Sequence, residues 1–404
     1  MSHNETLRFV VACRGDAKRF VAPSLGEAFK AIGPAGYVAY RPASLPRRLD
    51  LSDETVVALS EADRALGRLA GAGRLLPNPH LLLRPYVTRE ALASSRIEGT
   101  QASLSDVFDA QARKSPEGPL REVTNYIDAL DHGLARLDAL PVSRRLLCEV
   151  HEILLTGVRG QQRRPGEVRR SQNWIGSPDN RPTTALFVPP PVDDMEPALD
   201  DLERFLHEAS PLPPLVAIAL AHYQFETIHP FLDGNGRLGR LLIVFLLVER
   251  DLLPQPLLYL SSFFEAHRSD YYDRLQAVRE RGEIQEWLRF FLTGVAEQAN
   301  DAVARAEELV DLREEMRRRL AGDRSRATEV VEMIFENPVL TTTRIAESLD
   351  VTLQSALNHV RRLENEEIVV EVAGVPGRSK RWVARDVLRV LGADDETLTL
   401  QQPG

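Results

Sequence analysis

Cysteine is nearly absent from this 404-residue chain. Its two cysteines, Cys13 and Cys148, can build neither a disulfide framework nor a four-ligand metal site. Long apolar runs are missing as well. The longest, Leu241 to Val248, falls far short of the roughly 20 residues a membrane helix requires. The N-terminus, MSHNETLRFVVAC, has no basic start and no long apolar stretch, so no secretory signal is expected and a cytoplasmic location is. Positive charge is not in excess: 50 Lys and Arg face 59 Asp and Glu, a net charge of −9. That balance excludes a protein that coats nucleic acid over its whole surface, yet leaves room for a local DNA-binding domain. What is present suffices for a packed core, with 43% hydrophobic and 27% charged residues over a length that suits two or three domains.

Residues 1–50 are expected to form an irregular leader, because Pro, Gly and Arg punctuate GPAGYVAYRPASLPRRL without any period. From Asp53 the pattern turns helical, with Val56, Leu59, Ala62, Leu66 and Leu69 near one face. Residues 51–115 are thus expected to be an N-terminal helical region. It includes TREALASSRIEGT, where Gly99 supplies a stop signal. A core is expected over 116–300. Within it, residues 159–192 break the rhythm with RRPGEVRRSQNWIGSPDNRPTTALFVPPPV. That stretch reads as a long loop carrying a small hairpin around Ala185 to Val188, and long loops in compact domains usually have a function. Residues 301–325 read as an exposed connecting helix. Over 326–404 three helical segments precede two strand-like segments, IVVEVAG and KRWVARD, around the turn VPGRS. That order resembles the winged helix-turn-helix family.

The most informative segment is His229-Pro-Phe-Leu-Asp-Gly-Asn-Gly-Arg-Leu-Gly-Arg240, between two apolar helical stretches. Gly234 and Gly236 flank Asn235 and permit backbone angles that aim successive N–H groups into one concavity, an anion nest. The nest opens onto a helix N-terminus, which adds positive dipole and free donors for phosphate. Arg237 and Arg240 fall on one side of that helix, and guanidinium forks suit phosphate oxygens. Asp233 at the mouth suits Mg²⁺, which usually takes one or two carboxylates plus phosphates. His229 is the nearby group able to act as a base at neutral pH. Phe231 is expected to point down and anchor the loop in the core.

These residues match, position for position, the H-P-F-x-D-G-N-G-R-x-x-R signature of the Fic family. GEVRRSQNWIG resembles the family's segment before its flap, FVPPPV the flap, and YLSSFFEAHRSDYYDRLQAV and EWLRFFLTGV its core segments. The resemblance implies a mainly α fold: a helical bundle with a small β-hairpin flap, followed here by the winged helix domain. It also implies a protein adenylyltransferase that moves AMP from ATP to a Tyr, Thr or Ser hydroxyl of a target protein. In that scheme His229 takes the hydroxyl proton and Asp233 holds Mg²⁺. Gly234, Asn235, Gly236, Arg237 and Arg240 cradle the phosphates, with Phe231 completing the loop. Phe187, Val188 and Pro189 form the target-docking flap. Gln224, Tyr271 and Tyr272 are candidates for the adenine pocket.

Ser94, Glu98 and Gly99 match the family's inhibitory pattern, [S/T]-x-x-x-E-[G/N], upstream of the core. A carboxylate paired with Arg240 would occupy the fork meant for the γ-phosphate. In the C-terminal domain, Ser355, Asn358, Arg361 and Arg362 on the third helix and Arg378, Lys380 and Arg381 on the wing are candidates for DNA contact. The helix ends in ENEE, so docking to protein stays open beside DNA binding. The partners implied are a hydroxyl-bearing protein, DNA and a second copy of the chain, with no membrane. Two other functions also stay open. One is a transcriptional regulator that uses the core as a nucleotide sensor. The other is a Fic enzyme that transfers a different phosphate-containing group or removes AMP.

Overall fold

The computed structural model describes residues 17–31, 36–75, 79–113, 116–322, 325–372 and 380–393. The chain forms two compact units, each assembled from separated stretches of sequence. The first comprises residues 1–64, 129–252 and 266–296; the second comprises 65–128, 253–265 and 297–404. Among the described residues no helix is long and apolar enough to cross a membrane.

The centre of the first unit is α7 (Pro214–Ile228), whose sequence LVAIALAHYQFETI is buried on every side. A helix that is apolar all round must be enclosed by others. It is enclosed by α6 (Val192–His207) and by α8 (Asn235–Glu249), and α8 packs in turn on α5 (Arg144–Leu155). Ser143 caps α5 by accepting from the Leu146 N–H, which satisfies one of the helix's orphan donors. Trp287, in the first turns of α11 (Ile284–Arg319), is fully buried, and its indole N–H donates to the Ala219 carbonyl at 3.0 Å. Of the expected connecting helix at 301–325, residues 301–319 continue α11, a 36-residue helix that starts at Ile284.

Residues 1–50 are not wholly irregular. Strands β1 (Gly26–Lys30) and β2 (Val38–Pro42) pair antiparallel, with Ala28 opposite Tyr40. Gly26 is required there: its φ is +147°, and a Cβ would lie 2.5 Å from the Tyr40 hydroxyl. Five-residue strands rich in Ala, Lys and Arg escape a periodicity search, since only Ala39, Tyr40 and Pro42 of β2 and Gly26 of β1 are buried.

The second unit holds the C-terminal half of α1 (Asp53–Leu75), then α2 (Pro79–Ile97), α3 (Leu104–Arg113), the first half of α4 (Pro119–Leu137), nearly all of α9 (Ser261–Ala266) and the rest of α11. Buried Glu90 on α2 accepts from the Tyr126 hydroxyl at 2.9 Å, the Ser261 N–H at 3.1 Å and the Ser261 hydroxyl. A buried carboxylate with three donors fixes α2 rather than destabilising it. The C-terminal part contains α12 (Ala327–Glu336), β3 (Val339–Thr341), α13 (Thr342–Leu349), α14 (Leu353–Asn365), β4 (Val370–Val372), β5 (Arg381–Val383) and α15 (Arg385–Val390). β5 lies between β3 and β4, antiparallel to both, with Trp382 opposite Leu340 and Glu371. β3 and α15 are not among the elements expected from the sequence. α12 packs on α2, and the buried Asn337 amide donates to the Phe108 carbonyl of α3 at 3.0 Å.

Candidate active site

α7 ends at His229, whose φ of +50° makes it a left-handed cap with its N–H on the Phe225 carbonyl at 2.9 Å. That conformation costs a non-glycine residue about 1–3 kcal/mol and recurs at functional sites. Three side chains hold it in place. Asn235 accepts from the Phe231 N–H at 2.9 Å and donates to the Phe231 carbonyl at 2.8 Å. Asn173 donates to the carbonyls of His229 at 3.0 Å and Phe231 at 2.8 Å. Arg169, only 1% exposed, donates to the carbonyls of His229 and Ser171 at 3.0 and 3.2 Å and also to that of Pro190. Gly234 follows with φ +76° and caps the N-terminus of α8, so the first N–H groups of that helix face the loop.

Beneath the loop lies His151 of α5, fully buried. Its Nδ1 accepts from the Gly166 N–H at 2.9 Å, which leaves Nε2 as the donor to the Asp233 carbonyl at 2.9 Å. Burial pushes its pKa down to about 4, so the ring is neutral at pH 7. Phe231, 1% exposed, stacks on it at 3.9 Å and sits in the core rather than facing a nucleotide. The Asp233 carboxylate accepts from the Gly234 N–H at 2.7 Å through Oδ1, while Oδ2 lies against Gly160, where a Cβ would come within 2.9 Å. Among the described residues no cluster of three His, Cys, Asp or Glu could hold a metal. One carboxylate suits a hard cation such as Mg²⁺, which takes its other oxygens from phosphate and water. Arg237 and Arg240 on α8 are 1% and 2% exposed.

The candidates for the adenine pocket differ in burial. Gln224 is 2% exposed, and its amide donates to the Ala43 carbonyl at 2.9 Å, which ties the segment after β2 to α7. Tyr271, on α10 (Arg268–Arg281), is 1% exposed, and its hydroxyl donates to His222 Nε2 at 2.9 Å. The other nitrogen of His222 donates to the Gly239 carbonyl at 2.9 Å. Tyr272 alone of the three is open, at 42%. Burial pushes the His222 pKa down to about 3. Between about pH 3 and 6.5 the unfolded chain therefore binds a proton that the fold excludes. The stability from His222 is complete above pH 6.5 and falls as pH drops toward 3, by up to about 1.4 kcal/mol per pH unit. Urea midpoints from pH 7 to 4 should decline, and His222→Gln should flatten that decline.

The flap also departs from expectation. A single bridge joins Ile175 and Phe187, and no strand forms. Phe187, Val188 and Pro189 are buried. The Phe187 ring lies beneath the Arg279 guanidinium at 4.0 Å, and the Val188 carbonyl accepts from the Tyr40 N–H at 3.0 Å. Leu186, 47% exposed, is the open apolar residue of the flap.

At the end of α2, Ser94 is buried and Glu98 half-buried. Gly99 adopts φ +93° and donates to the Arg96 carbonyl at 2.9 Å. In the C-terminal domain Asn358 and Arg361 are exposed on α14, with Ser355 and Arg362 half-buried. Thr352 caps α14 by accepting from the Ser355 N–H. Arg381 is not at the wing tip: on β5 it pairs with Asp109 at 3.0 Å and is 16% exposed. Lys380 is open and pairs with Glu371 at 2.8 Å, while Arg378 lies outside the described residues.

The sequence did not single out His151 or Arg169. A lone histidine in an apolar helix reads as core, and an Arg-Arg pair in a loop does not say that Arg169 turns inward while Arg170 stays 76% exposed.

Models of the Fic/DOC family match two consecutive stretches, the N-terminal region at 56–135 and the Fic/DOC core at 141–247. A winged helix-turn-helix DNA-binding model matches 328–370. Over these two stretches the chain is similar to the Fic/DOC family. It is similar to protein adenylyltransferase Fic of Aedes aegypti, 31% identical over 203 residues that cover 48% of this chain and 37% of that protein. The protein of the same name from Drosophila grimshawi is 27% identical over 278 residues, covering 67% and 51%. The chain thus spans between about a third and a half of the length of these curated relatives. A solved Fic family protein from Desulfovibrio desulfuricans G20 superposes with a TM-score of 0.54 at 21% identity, covering 83% of this chain and 97% of that one. A Fic domain containing signaling protein from Bacteroides thetaiotaomicron gives 0.50 at 17% identity, covering 62% and 97%. Both are likenesses of fold.

Proposed function

We propose that this chain is a protein adenylyltransferase, using ATP to place AMP on a Tyr, Thr or Ser hydroxyl of a target protein. The observation that carries the reading is the loop from His229 to Arg240. It offers a strained histidine, a single carboxylate and a helix N-terminus in one fixed turn. His229 takes the hydroxyl proton while the oxygen attacks the α-phosphorus, and the bond to the β-phosphate breaks to release pyrophosphate. The N–H groups from Gly234 to Gly236 and the guanidiniums of Arg237 and Arg240 bind the phosphates, since transfer of this kind is mostly positioning and charge neutralisation. Asp233 is the residue that would hold Mg²⁺, which when bound neutralises phosphate charge. Glu98 acts as the brake by competing with the γ-phosphate for Arg240. Target docking falls to the outer side of the flap around Leu186, because Phe187, Val188 and Pro189 are inside. The assay is incubation with labelled ATP, UTP, CTP and GTP, with and without Glu98→Gly. Label retained from α-³²P-ATP alone supports the reading, and retention from another nucleotide, or loss of AMP from a modified protein, replaces it.

We further propose that the exposed Asn358 and Arg361, the half-buried Ser355 and Arg362 and the open Lys380 contact duplex DNA. About three cationic phosphate contacts predict a log–log salt slope of roughly −2 to −3 for the full chain in a mobility-shift titration. No shift at low salt would assign these residues to protein docking.

A further inference from the structure

Three residues before His229, Glu226 is 7% exposed, and its Oε2 lies 3.8 Å from His229 Nδ1. Its burial is built in from the facing helix. Gly239 has no Cβ, and one placed there would lie 2.5 Å from Glu226 Oε1 and 3.2 Å from Phe225 Cδ1. Any larger residue at Gly239 would thus displace the carboxylate. A fully buried guanidinium lies in its field: Arg279 donates to the Thr227 hydroxyl at 3.0 Å, and attraction to Glu226 offsets part of the burial that lowers its pKa.

We propose that Glu226 is a positioning residue for His229: its carboxylate selects the tautomer with the proton on Nδ1 and leaves the Nε2 lone pair for the hydroxyl of the acceptor. This inference rests on the proposed transfer reaction and names the group that orients its base. At 3.8 Å the contact is an ion-pair distance rather than a hydrogen bond, and such contacts often tighten only once substrate is bound. When the imidazole takes up the acceptor's proton, the same carboxylate stabilises the imidazolium that forms. A base that also needs an orienting anion explains why a carboxylate is kept in the interior at the foot of a phosphate site, where it would otherwise repel the substrate.

The test uses the full chain with Glu226→Gln and Glu226→Leu. Gln keeps an oxygen to accept from Nδ1 but carries no charge; Leu keeps neither. AMP transfer should fall about tenfold in Glu226→Gln and about 100-fold in Glu226→Leu, with KM for ATP within about twofold of the parent. The ¹⁵N spectrum of labelled histidine, with His229 assigned by its loss in His229→Ala, should report the Nδ1–H tautomer in the parent and in Glu226→Gln. In Glu226→Leu it should report a mixture. An unchanged rate and tautomer in Glu226→Leu would overturn the proposal, as would a parent ring protonated on Nε2. If neither the parent nor Glu98→Gly transfers nucleotide, the proposed function falls, while the spectrum still decides what orients His229.

Discussion

Replacing His229 by alanine should cut AMP transfer by about 10²–10⁴-fold while ATP binds with unchanged affinity. The range is what a positioned general base contributes, equivalent to about 3–5 kcal/mol of barrier. Affinity should persist because the phosphate donors are the N–H groups at the start of α8 and the guanidiniums of Arg237 and Arg240. The loop itself is held through main-chain carbonyls by Arg169, Asn173 and Asn235, none of which bonds to the imidazole. Transfer of ³²P from α-labelled ATP and titration calorimetry separate the two quantities. Label retained at parent levels would remove His229 from the chemistry.

The second large effect concerns the brake. Glu98→Gly should raise automodification by up to roughly 10²-fold, the upper scale of coupling between two interacting residues. The double change Glu98→Gly with Arg240→Ala should lose that gain, because the fork released by the first change no longer exists. Such non-additivity marks two groups that act as one unit. Initial rates with labelled ATP for the parent, both single variants and the double variant test it. A hyperactive double variant would place the partner of Glu98 elsewhere, and an unchanged Glu98→Gly would reduce 94–99 to a helix end.

What could be read from sequence divides along physical lines. The helices were legible because their apolar residues recur at helical spacing, as in Leu146, Leu147, Val150, Leu154 and Leu155 of α5. The 229–240 loop was legible because its chemistry is local: glycines, asparagine, aspartate and arginines within one turn. The β1–β2 hairpin was not, since its stability comes from tertiary contacts such as the Tyr40 ring against Phe20 and Phe187. The internal partners of the adenine-pocket candidates were hidden for the opposite reason. Gln224 and Tyr271 are polar at one end, and their polar ends are spent inside the protein on Ala43 and His222. Residue type cannot distinguish a polar group that meets a ligand from one that meets the backbone. The same ambiguity hid Arg381, whose charge is answered by Asp109 rather than left at the wing tip.

The buried guanidinium of Arg169 has one more consequence. Burial lowers its pKa only to about 10, so it remains cationic at neutral pH, and its hydrogen-bond partners are all main-chain carbonyls. A positive charge therefore sits permanently behind the carbonyl of His229, walled off from counterions. Salt screens exposed charges over a Debye length of about 8 Å at physiological ionic strength but screens buried ones far less. The potential that draws a polyanion toward this loop thus has a component that high salt leaves in place.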